Sequence, residues 1–123
     1  NSTKNNKSYA SFKKYMIQIF NYAGTLSLSR ELESIAIESI QPGDIFCHGG
    51  SPGHAVMVLD VVENNMGKKM FLLAQSYMPA QEIHILKNPN DQVFSPWYNL
   101  SEISEEINTP EWVFNRAELM RWN

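Results

Sequence analysis

A chain of 123 residues, 43% of them hydrophobic, suffices for one domain with one modest core. The net charge is −3 and the ten cations lie apart except at Lys13-Lys14 and Lys68-Lys69, which excludes the basic face that nucleic acid requires. One cysteine excludes an internal disulfide and a multi-cysteine zinc site, no apolar run approaches the ~20 residues of a membrane span, and no signal-peptide pattern is present.

The chain opens NSTKNNKSYA, without an initiating methionine, and reads as a fragment or a mature segment. Residues 1–8 are polar and expected to be disordered. From Tyr9 the period turns helical. Phe12, Tyr15, Met16, Ile19 and Phe20 form one apolar stripe, Ser8 or Ser11 can cap its start, and Gly24 stops it. SLSRELESI predicts a second short helix with Leu28, Leu32 and Ile35 inward, so that 9–36 is expected to be helical. Gln41-Pro42-Gly43-Asp44 breaks the period, since Pro42 disfavours helix at Gln41 and Gly43 permits a tight turn.

Residues 43–86 read as an antiparallel meander: DIFCH, the turn GGSPG, HAVMVLDVV, the turn ENNMGK, KMFLLAQS and then EIHIL. Residues 87–123 are expected to be irregular. KNPND is a turn, SPWYNLSEISEE an irregular or short helical excursion, TPEWVFN a last strand near 110–115 at a sheet edge, and AELMRW a closing turn of helix. Helices followed by a meander make the class α+β, with 1–123 a single domain or the C-terminal part of one.

Strand alternation puts His54, Val56, Val58 and Asp60 on one side and Ala55, Met57, Leu59 and Val61 on the other. His54 then stands at the mouth of a buried strand, just after Pro52-Gly53, placed either for general-base work or to cap turn backbone. Gln75 ends the buried run FLLAQ. In a meander that end can approach His54, where an amide carbonyl can hold a ring N–H and fix the tautomer, or can satisfy stray backbone groups. Cys47 lies mid-strand beside no helix N-terminus, which favours packing over nucleophilic chemistry, although contact with His54 stays open. His48 and His84 show no zinc-ligand spacing with Cys47, His54 or Asp60, so no metal and no cofactor is expected, and both histidines are read as satisfied strand or surface residues. GxSxG, P-loop and GxGxxG patterns are missing from the sequence.

QPGDIFCHGGSPGHAVMVLDV, KKMFLLAQSYMPAQEIHILKNPND and SPWY resemble an uncharacterised bacterial family of the Bacteroides type, a numbered domain of unknown function. That resemblance runs from FKKYMIQIFNYAGTLSLSREL to TPEWVF and implies a longer parent protein, with this chain its C-terminal half. A looser resemblance is to NlpC-type cell-wall peptidases of papain-like fold. In these a cysteine opens a helix, a PGD precedes an apolar strand, a histidine opens another strand, and a polar orienter follows. Pro42-Gly43-Asp44, His54 and Gln75 match the last three features, and the first has no counterpart in these residues.

The looser resemblance implies the sheet half of a papain-like thiol amidase or peptidase. His54 would be its base, Gln75 its orienter, and an upstream cysteine its nucleophile. Gly49, Gly50 and Gly53, with Ser76 and Tyr77, would shape a cleft for a peptide-like or cell-wall amide substrate, in an exported or envelope setting. The competing expectation is a non-catalytic envelope binding module that uses the same cleft, with Tyr77, Trp97 and Tyr98 as contact surface. A third makes Cys47 and His54 a self-contained dyad. A half-domain is also expected to expose the apolar face that its missing half would cover.

Overall fold

The computed structural model describes residues 32–48, 54–77 and 82–122. Over these the chain forms strands β1 (Leu32–Ser34), β2 (Ile45–His48), β3 (His54–Glu63), β4 (Lys69–Tyr77), β5 (Glu82–Ile85), β6 (Tyr98–Asn99), β7 (Glu106–Asn108), β8 (Val113–Asn115) and β9 (Leu119–Trp122). Every pairing is antiparallel. The main sheet has seven strands in the order β1-β9-β2-β3-β4-β5, with β6 also paired to β4, and β7 and β8 form a separate two-stranded ribbon.

Among the described residues there is no α-helix, only 3-10 turns at Ile37–Ser39, Leu100–Glu102 and Arg116–Glu118. This corrects the α+β class to a mostly antiparallel β-sheet fold. The predicted helix over the Phe12–Phe20 stripe lies outside the described residues. The end of the second predicted helix does not: Leu32–Ser34 is strand β1. AELMRW is not a helical turn either, since Leu119–Trp122 enters the sheet between β1 and β2, with Leu32 opposite Trp122 and Ile45 opposite Met120. In both cases pairing partners distant in sequence override a local pattern that suited a helix.

The meander forms as its sequence dictates. Gly43 takes a φ of +93°, which the turn before β2 requires and which a side chain would resist. Between β3 and β4, Asn64 Oδ1 accepts from the Met66 and Lys68 N–H groups while Gly67 sits at φ +79°. A bulge between Val58 and Asp60 inserts Leu59 as an unmatched residue. Strict alternation therefore fails at this point. Val61 packs with Val56 and Val58, not with Ala55, Met57 and Leu59.

The sheet buries both faces. On one, Phe46, Val56, Val58, Phe71 and Leu73 pack with Leu119 and with Ile107 and Phe114 of the ribbon. On the other, Ile45, Cys47, Ala55, Met57 and Ala74 pack with Leu32. A polar side chain on the first face is thus set against the ribbon. One on the second is separated from it by the sheet itself.

Candidate functional site

His54 and Gln75 come from adjacent strands and point to the ribbon face, on which Val56 and Leu73 follow them inward. Gln75 is 7% exposed, so its amide carbonyl needs a partner. His54 supplies it, Nε2–H donating to Gln75 Oε1 at 3.0 Å. A carboxamide oxygen only accepts, so the neutral ring carries its proton on Nε2 and its lone pair on Nδ1. A base nitrogen is thereby defined by geometry.

Two aromatic rings hold the imidazole. Trp112 stacks on it at 5.1 Å with 7° between the planes, and Phe114 meets it at 5.8 Å and 42°. Phe114 in turn packs on Phe46 at 6.0 Å. The ribbon turn carries the indole into place: Thr109 Oγ1 donates to the Trp112 carbonyl at 2.5 Å, and the Trp112 N–H returns to Thr109 Oγ1 at 3.2 Å. Sequence reasoning missed Trp112. The signal was present in TPEWVFN, where Trp112 and Phe114 alternate onto one face of a strand.

The remaining candidates divide. Ser76 and Tyr77 continue β4 opposite Ile83 and Glu82, while Gly49, Gly50 and Gly53 lie outside the described residues. Tyr98 is buried in the core with its hydroxyl donating to the Lys87 carbonyl at 2.6 Å, which removes it from any contact surface. His84 is exposed on β5 opposite Gln75. His48 is partnered: its Nδ1–H donates to Glu118 Oε2 at 2.7 Å, a pairing the sequence reading did not foresee.

Cys47 pairs with Ala55 across β2 and β3 and lies on the opposite face from His54, packed among Ile45, Met57 and Leu32. Burial pushes its thiol pKa up, and the Glu118 carboxylate adds to the shift. Both effects disfavour the thiolate that nucleophilic attack needs. The Cys47–His54 dyad is not formed.

A cavity of about 90 Å³ opens between Asn88, Tyr98, Glu102, Ile107 and Asn108, and its wall includes neither His54 nor Gln75. Among the described residues no group of three or more His, Cys, Asp or Glu is placed to hold a metal ion, and no helix is long and apolar enough to cross a membrane.

The described fold and site thus define an antiparallel β-sheet domain that presents a tautomer-fixed imidazole beneath an indole. The chain belongs to the family of domain of unknown function 4846, whose model matches residues 1–121. No curated protein and no solved structure matches it.

Proposed function

We propose that this domain supplies the base of a thiol-dependent amidase or peptidase. His54 takes the proton from the attacking thiol at Nδ1 and returns it to the leaving amine, Gln75 holds the ring through Nε2–H, and the thiol comes from a segment of the protein other than this chain. The observation that carries the reading is the 3.0 Å bond between His54 and the buried Gln75 amide. It sets which ring nitrogen carries the lone pair, as a proton-transferring histidine requires. The substrate class, a peptide-like amide, rests on the resemblance to cell-wall peptidases alone.

The test is turnover of peptide amides by the full-length protein, with a thiol-directed probe read by peptide mapping. Wild type is expected to turn over and to be labelled outside this chain. His54→Ala should lose activity, and Gln75→Ala should lose about tenfold, the worth of one orienting hydrogen bond. Undiminished turnover in His54→Ala would overturn the reading. A wild-type protein inert to both substrate and probe would leave a non-catalytic binding module in its place.

A further inference from the structure

The second imidazole of this face, His48, has no part in the chemistry above. His48 and His54 are directly opposite each other across β2 and β3, so their side chains leave the same face of the sheet. Both rings pack on the same indole, His48 at 5.5 Å and 46°. They are held by opposite nitrogens and by different chemistry. His54 gives Nε2–H to a neutral amide, whereas His48 gives Nδ1–H to a carboxylate. The nitrogen of His48 outside that pair is therefore Nε2, the ring atom remote from the backbone. Its side chain is 49% exposed, against 23% for Glu118.

Glu118 is itself immobilised. Its other oxygen accepts from the Asn115 N–H at 2.8 Å, while Asn115 Oδ1 accepts from the Ala117 N–H, a capping box closed around Arg116–Glu118. The carboxylate that aims His48 is thus fixed by its own turn. Nor is the ion pair needed to join the turn to β2, because β9, which follows directly, already pairs with β2 at Ile45–Met120 and Phe46–Leu119. A surface ion pair of this kind contributes little stability. What it does accomplish is to orient an exposed imidazole beside His54.

We propose that His48 is a substrate-binding residue of this face, its Nε2–H donating to an acceptor oxygen of the substrate, a carboxylate or a carbonyl, next to the bond that His54 works on. The ring donates there when it carries both protons, with the Glu118 carboxylate balancing the charge. The proposal rests on the reading of the His54–Gln75 pair as an amide-hydrolysing site, and its test separates the two.

The full-length protein, 15N-labelled at histidine, is titrated with N-acetylalanine and with N-acetylalanine amide while the His48 Nε2 resonance is followed. A saturable shift with the acid alone, weakened in Glu118→Gln, is expected if the acceptor is a carboxylate. Equal shifts with both probes identify a carbonyl. No saturable shift of His48 with either probe overturns the proposal. In turnover, His48→Gln should raise KM about tenfold, the loss of one charge-assisted hydrogen bond, with the smaller effect on kcat. Because the titration needs no turnover, it stands whether or not His54→Ala abolishes activity.

Discussion

The indole of Trp112 lies flat against the His54 imidazole. Among the described residues one hydrogen bond, to Gln75, restrains His54, and a single hydrogen bond leaves an imidazole free to rock about it. Stacking at 5.1 Å removes that freedom from one side and Phe114 from another. Trp112 is partly buried, so truncation removes part of an aromatic payload rather than all of it. Trp112→Ala is expected to cost about 2 kcal/mol in urea unfolding, below the range for fully buried tryptophan. It should also move the His54 ring-proton resonances downfield by removing the ring current, while Trp112→Phe should retain most of both. Unmoved His54 resonances in the alanine variant would show that the stack does not exist in solution.

At the scale of elements, the parts legible in the sequence are those stabilised by neighbours in the chain. The β2, β3, β4 and β5 strands follow one another closely in the chain, with glycines in the sequence between β2 and β3 and between β3 and β4. Their order and alternation alone place His54 and Gln75 within reach of each other, and the two side chains meet. What was not legible depends on distant partners. LESIA and AELMRW carry helix-forming residues, yet β1 and β9 pair with each other and β9 with β2, across more than half the chain. Trp112, Phe114 and Glu118 reach the site for the same reason, on segments whose destination no local pattern encodes.

The side chains that lock β9 in place are Asp44 and Arg121. Asp44 is 1% exposed at the head of β2, and its two oxygens accept from Arg121 Nε at 2.7 Å and Nη2 at 3.0 Å, and from the Gln41 N–H at 2.8 Å. Asp44 strengthens the hold of Arg121 on its proton through the hydrogen bonds. The same guanidinium donates to the Ser39 carbonyl, so one residue of β9 ties together the turn before β2 and the 3-10 turn preceding it. Asp44→Ala removes the acceptor but leaves Arg121 partly exposed and able to reach water. The expected cost is therefore about 2–3 kcal/mol, that of lost charge-assisted bonds rather than of a stranded buried charge. Urea midpoints measure it, and a loss under 1 kcal/mol, the worth of a surface ion pair, would show that the clamp is not what holds β9.

For the molecule as a whole, the sheet divides two apolar cores, and each contains one titratable group that burial keeps protonated. Cys47 lies in the core away from the ribbon and Tyr98 in the core beneath it. Desolvation raises the Cys47 thiol above its ordinary 9.0, with Glu118 adding to the effect, and raises the Tyr98 phenol above its ordinary 10.0. Both groups are neutral when protonated, so the folded chain keeps protons that the unfolded chain has already released. Their contribution is fully present below pH 9, where both states hold both protons. As the pH climbs past 9 and then past 10, the unfolded state binds fewer protons than the folded one and stability falls, by up to about 1.4 kcal/mol per pH unit for each group. Urea midpoints taken from about pH 8 to about pH 11 should therefore decline steadily. Cys47→Ala should remove the earlier part of the decline and Tyr98→Phe the later part, each at some cost in stability at neutral pH from lost packing or from the lost bond to Lys87. Such a cost shifts the whole curve and leaves its slope alone, so the slope is the quantity that decides. A double variant whose midpoints fall as steeply as those of the wild type would mean that neither group is as buried as the two-core sheet requires.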